Sequence, residues 1–205
     1  MNRCAILLEG GADIPVVREI FHRHLGLQEN IDFSLHAHRG KGKLPKDLLG
    51  QAPANQHGLL DLLPATLRGM SHYPLVVVLI DLDNESEQAQ TSQLEGMLSR
   101  LPKRPKTVLF RFAIEETESW FLADLTAVKN AFPSASIKHL ERITPDAIVG
   151  AWEQLADALH VERTEVSGQT KFIWATKIAP HMNFKNPTSP SLGVLISDLN
   201  GLKAA

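Results

Sequence analysis

Two acidic clusters each follow an apolar run, and their residue types suit the binding of a hard cation. Glu9-Gly10-Gly11-Ala12-Asp13 follows the run over 4–8, and Asp81-Leu82-Asp83-Asn84 follows the run over 75–80. Short, continuous apolar runs read as buried parallel strands. Open α/β sheets bind ligands at the carboxyl ends of such strands. If the two strands are neighbours, Glu9, Asp13, Asp81 and Asp83 converge on one spot. Two carboxylates about 4 Å apart repel by roughly 4 kcal/mol at an effective dielectric near 20. Basic residues, bound protons or a divalent cation must relieve that repulsion. Asp81 and Asp83 lie two apart, so in extended backbone both leave the same face. Such an oxygen pair suits Mg²⁺ or Mn²⁺ and favours the cation. Against it stands a simpler role, since Asp83, Asn84 and Ser86 are also good helix caps.

Further charged groups lie elsewhere along the chain. Glu115-Glu116-Thr117-Glu118 follows another apolar run; glutamates in a first helical turn can simply complement the helix dipole, yet the position after a parallel strand matches that of Glu9 and Asp81. Arg39, Lys41, Lys43 and Lys46 form a basic loop that could neutralise phosphates without reading sequence, or could be a solvated surface. That loop has no glycine-rich run ending in Gly-Lys-Ser/Thr, and the Gly10-Gly11 turn lacks the G-x-G-x-x-G spacing of dinucleotide sites. The nine histidines give no metal constellation; His36 and His38 share a strand face but have no neighbouring ligands. Trp120, Trp152 and Trp174 sit in apolar helical stretches and read as core.

The elements that must position these groups alternate. Strands are expected over 4–8, 31–38, 75–80 and 107–112, with helices from about Asp13 to Gly26, over 58–70, and as a polar segment before Pro102. That order argues an α/β fold with a mostly parallel central sheet flanked by helices and right-handed crossovers. The remaining third reads as helix, over 116–131, 145–159, 170–179 and 192–199. The expected division is an α/β core over 1–115 and a helical extension over 116–205 packed on it.

With 205 residues the chain can bury one sizeable core. A formal net charge of −2 excludes a strongly basic protein, so nucleic-acid contact must come from a local patch. Cys4 is the single cysteine, which excludes an intramolecular disulfide and a cysteine-rich zinc site. Its place in an apolar run reads as a small buried hydrophobe. The N-terminus lacks a secretory leader pattern, and no apolar run approaches the roughly 20 residues that span a bilayer. A cytoplasmic protein without a membrane partner is expected.

Together these residues resemble the Toprim domain, the catalytic module of type IA and type II topoisomerases, bacterial primases and the OLD nucleases. There a Glu closes the first strand with a glycine after it, and Asp-x-Asp closes a later strand. Glu9-Gly10 and Asp81-Leu82-Asp83 match that pattern, and Asp13 matches the Glu-Gly-x-x-Asp form of OLD-type nucleases. Over nearly its full length the chain also resembles a bacterial family of Toprim-like proteins defined only as a domain of unknown function. Glu116-Thr117-Glu118 through Asp124, Lys171 ahead of a helix, and Ser189-Pro190-Ser191 look like that family's later features. Lys177 is an alternative to Lys171, and Gln169 stands where the family has an aromatic residue.

The resemblance implies a Toprim-like Rossmannoid fold and metal-dependent phosphodiester hydrolysis of DNA or RNA. It implies that Glu9, Asp13, Asp81 and Asp83 hold one or two Mg²⁺ or Mn²⁺ ions, with Glu116 or Glu118 completing the second site. Glu9 and Lys171 would be catalytic, Lys171 offsetting charge on the phosphorane. OLD-type nucleases carry a fused ATPase, and this chain has no ATPase motif, which implies a separately encoded ATPase partner in phage defence or DNA repair. The alternative is a non-catalytic Toprim-fold regulatory or nucleic-acid-binding subunit of such a system. A haloacid-dehalogenase-type phosphatase also uses Asp-x-Asp after an apolar strand, but expects Thr or Val where Glu85 stands.

Overall fold

The computed structural model of the chain describes residues 4–50, 55–147 and 149–204, with backbone only over 202–204. Four strands form one all-parallel sheet in the order β2-β1-β3-β4. They are β1 (Cys4–Leu8), β2 (Phe33–Ala37), β3 (Leu75–Asp81) and β4 (Thr107–Ala113). Every residue of β1 is buried, as its unbroken apolar run requires of a central strand. It pairs in register with both neighbours, Ile6 opposite Leu35 and Val77. The α/β expectation holds, and the sheet is parallel throughout.

The chain forms two compact units: Met1–Gly11 with Leu27–Phe112, and Ala12–Gly26 with Ala113–Ala205. The first holds the sheet, α2 (Leu59–Gly69) and α3 (Glu87–Ser99). Its core is built from Ile6, Leu7, Leu8, Val76–Ile80, Leu59, Leu63, Leu67 and Leu94. The second holds α1 (Ile14–Glu19), continued by π-helical turns over Ile20–His24, and then α4 (Glu118–Leu122), α5 (Leu125–Ala131), α6 (Ile137–Leu140), α7 (Ala151–Ala158), α8 (Gly168–Ile178) and α9 (Pro190–Ala204). None of the described helices is long and apolar enough to cross a membrane.

Local chemistry moves several boundaries from those expected. The helix expected over 116–131 breaks at Ala123 and Asp124, because Asp124 Oδ1 accepts from the Ala127 N–H at 3.0 Å and starts a new helix. The span 145–159 becomes helical only at Ala151, after Asp146 and Gly150 turn through positive φ; Ile148 of that span lies outside the described residues. Asp13 does not cap α1 with its side chain. Ser167 and Thr170 form a capping box that starts α8.

Candidate functional site

In the first unit the end of β1 is tied to the end of β3. Glu9 is buried, and its Oε1 accepts the Asp81 N–H at 2.9 Å. The carboxylate thus extends the ladder where the strands run out. Beyond Asp81 the chain leaves the extended conformation: Leu82 is buried and Asp83 adopts φ +51, a left-handed turn that Asp tolerates better than most residues. The same-face argument for Asp81 and Asp83 therefore does not apply, since it needs extended backbone through both.

The basic loop is pinned rather than flexible. His38 and Gly40 donate their N–H groups to the carbonyls of Leu8 and Glu9, and Leu59 and Leu60 donate to Gly40 and Lys41. Gly42 sits at φ +67 with the Asp61 carboxylate where a Cβ would be, so a side chain is excluded there. Pinned in this way, Lys41 turns inward. Its Nζ donates to the Asp81 carbonyl at 2.8 Å and to Asp83 Oδ2 at 2.9 Å, with Glu85 Oε1 at 3.6 Å. Sequence left Lys41 open between a phosphate contact and a solvated surface; in the structure it is the counter-ion of the Asp81–Asp83 turn. Arg39, Lys43 and Lys46 remain exposed. His38 Nδ1 lies 3.0 Å from the Leu8 carbonyl, and His36 pairs with Ser34 at 2.9 Å. Burial, then the nearby His38, lowers the His36 pKa.

The second unit gathers Asp13, Glu116, Glu118 and Lys171. Asp13 is buried and its Oδ1 accepts from Thr117 Oγ1 at 2.8 Å. Lys171 Nζ donates to Glu116 Oε2 at 3.0 Å and lies 3.5 Å from Glu118 Oε1. The ammonium also stands 5.5 Å from the centre of the Trp152 ring, which leaves Trp152 half-buried beside a charge instead of in the core. Burial pushes the Glu118 carboxyl up to about 7; the Lys171 charge pulls it down, and the charges of Glu116 and Asp13 push it further up. Glu116 is raised by burial too, opposed by the charge and hydrogen bond of Lys171 and reinforced by Glu115 and Glu153. Lys177 lies over the Phe132 ring instead, so of the two lysines it is Lys171 that meets the glutamates.

Two residues hold this group in place, one from the acidic run after β4 and one that the sequence did not mark. Glu115, at φ +62, accepts the N–H groups of Gly150 and Ala151 and so caps α7 from a distance. Asp146 accepts from Ser189 Oγ at 2.9 Å, from the Ser191 N–H at 2.6 Å and from Ser119 Oγ at 3.3 Å. Trp120 Nε1 donates to Ser191 Oγ at 2.9 Å. The Ser189-Pro190-Ser191 segment is thereby an anchor for α4, the helix that begins with Glu118. Asp146 carries no signal beyond a turn-favouring residue type.

The donor set is entirely carboxylate, the type a hard divalent cation takes. Among the described residues, however, no three or more His, Cys, Asp or Glu side chains are gathered as a coordination shell. The charge relief that the geometry displays comes from Lys41 in the first unit, and from Lys171 and a raised Glu118 pKa in the second.

No family model matches the sequence, and no curated protein matches it. A solved structure, the C-terminal region of the Burkholderia pseudomallei OLD protein, aligns over 99% of this chain and 99% of its own length, with a TM-score of 0.48 and 15% identity.

Proposed function

We propose that this chain is a Toprim-type phosphodiesterase that cleaves nucleic acid with the help of Mg²⁺ or Mn²⁺. The observation that carries the reading is the Glu9–Asp81 contact, which sets two carboxylate residues side by side at the carboxyl ends of adjacent parallel strands. That is where open α/β sheets bind their ligands, and Glu9-Gly10 with Asp81-Leu82-Asp83 is the Toprim pattern.

Glu9, Asp81 and Asp83 would hold a cation in the first unit, and Asp13 with Glu116 or Glu118 in the second. A bound ion would supply Lewis-acid polarisation of a phosphoryl oxygen and a water of lowered pKa. The protein's own groups do the remaining work. Glu9 fixes the end of β3 by accepting the Asp81 N–H, and Thr117 orients the Asp13 carboxylate. Glu118, with a pKa near 7, can hold or release a proton at working pH. Lys171 carries the positive charge that would offset a developing phosphorane. Arg39, Lys43 and Lys46 would position the polyanion. A separately encoded ATPase is the partner this reading expects, in phage defence or DNA repair.

Cleavage of supercoiled plasmid, single-stranded DNA and single-stranded RNA, each with Mg²⁺, Mn²⁺ or EDTA, tests this reading. The expected outcome is cutting that needs the cation and is lost in Asp81→Ala. No cutting, together with equal melting shifts by metal in both proteins, would remove the carboxylate site. One observation favours a second reading, a non-catalytic Toprim-fold subunit: Lys41 already neutralises Asp83. Under it, metal shifts the melting of neither protein.

A further inference from the structure

The charge of this near-neutral chain is unevenly spread. Between Glu95 and Glu115 there is no acidic residue, while Arg100, Lys103, Arg104, Lys106 and Arg111 all fall there. Four of these lie within 100–106, the turn from α3 into β4. Arg100, Lys103, Arg104 and Lys106 are all exposed. Among the described residues none of these four side chains makes a hydrogen bond or ion pair. Two prolines stiffen the turn, and one of them, Pro105, is buried. The cations are therefore presented on an anchored loop with restricted backbone.

The neighbouring turn adds a different kind of group. The Thr107 N–H donates to the Pro74 carbonyl at 3.1 Å, which sets the turn before β3 beside the turn before β4. His72 and Tyr73 stand there with ring centroids 4.6 Å apart; His72 is exposed and Tyr73 half-exposed. Cations beside partly open aromatic rings are the composition of surfaces that track a nucleic-acid backbone and stack on bases. Because the sheet is parallel, this face lies at the amino ends of β3 and β4, the opposite end of the sheet from Glu9 and Asp81.

We propose that the 100–106 turn, with Tyr73 and His72 beside it, is a binding site for the sugar-phosphate backbone of nucleic acid. It acts without base readout and independently of any cleavage at Glu9 and Asp81. Each neutralised phosphate contributes about −0.9 to the slope of log K against log salt on duplex DNA, and about −0.7 on single strands. Replacing three cations therefore lowers the slope by roughly 2 to 3 and weakens binding about tenfold or more.

Fluorescence anisotropy of labelled duplex and single-stranded oligonucleotides, in EDTA and between about 50 and 200 mM salt, reads both quantities without cleavage. The full chain is compared with Lys103→Gln/Arg104→Gln/Lys106→Gln and with a control of equal charge change at exposed positions of the second unit, Lys138→Gln/Arg142→Gln/Lys185→Gln. The expected result is a loss of slope and affinity in the first variant, with the control binding like the parent. Equal slopes in the two triple variants would overturn the site in favour of net charge. Failure of the parent to bind either oligonucleotide would also overturn it. Because binding is read in EDTA and the proposed cutting needs Mg²⁺ or Mn²⁺, failure of the cleavage reading and failure of this site give different results. Equal circular dichroism and melting of the triple variants exclude unfolding as the cause.

Discussion

Glu118 is enclosed by protein, with Lys171 as its cationic neighbour, so its titration is linked to folding. The folded carboxyl titrates at about 7 against 4.5 for an ordinary Glu. Between those values the folded chain keeps a proton that the unfolded chain has lost. The stabilisation is complete below pH about 4.5 and is lost as pH rises through about 7, a change on the order of 1–3 kcal/mol. Glu118→Gln removes the titrating group and should flatten this slope in urea denaturation between pH 5 and pH 8; parallel pH profiles for the two proteins would refute the linkage. Lys171→Met should act the other way. It removes the charge that pulls both glutamates down, so its cost should reach about 3 kcal/mol at pH 8 and be smaller at pH 5, where the Glu118 carboxyl is protonated. A loss independent of pH would mean that Lys171 matters only through packing on Trp152. Lys41 is the milder case. Asp83 is about half exposed, so Lys41→Met should cost only about 1 kcal/mol. The informative readout is the metal-induced melting shift. With a competing ammonium gone from Asp83 the shift should grow, whereas a smaller shift would make Lys41 a positioning group for the turn.

At the level of elements, the apolar runs made the strands and their order legible, because a strand buried on both faces must be apolar throughout. The parallel direction followed from the helical segments between them. Less was legible wherever one polar side chain decides a backbone turn. The break in the 116–131 helix depends on Asp124 capping Ala127, and the late start of α7 depends on Glu115 reaching across 35 residues to two backbone N–H groups. Neither partner can be chosen from spacing. The same is true of the site: the acidic residues were visible as residues, but the direction of Lys41 depends on the Gly40 and Gly42 hydrogen-bonded loop. Glu115→Gln weakens the charged cap of α7 and should cost about 1 kcal/mol. The loss should be local, with faster amide exchange at Gly150 and Ala151 than in α3. Unchanged exchange there would mean that the carboxylate only offsets the helix dipole.

For the whole molecule, the chain order of the two units sets how the protein can be divided. The segment Ala12–Gly26 belongs with Ala113–Ala205, although the sheet residues separate them in sequence. Its α1 packs against α8 and the short 3₁₀ turn Ala179–His181. Val16, Val17, Ile20 and Phe21 are all buried. Arg23 fastens it, donating to the carbonyls of Ala179 and Met182 at 2.9 and 3.0 Å and lying 5.0 Å over the Phe184 ring. A fragment of residues 113–205 therefore lacks a helix that its own core requires. Removing four buried apolar side chains forfeits about 1.5–3 kcal/mol each, comparable to the total stability of an ordinary domain. The fragment should show helix content without a cooperative melt, and a peptide of residues 12–26 should restore the transition. Arg23→Ala in the peptide should weaken that rescue, because it leaves two helix-end carbonyls and the Phe184 face without their partner. If the 113–205 fragment melts cooperatively without the peptide, then α1 is peripheral to the second unit. The Gly11–Ala12 and Gly26–Leu27 crossings would then be mere chain passage, and the boundary near residue 113 would be sufficient to define two folding units.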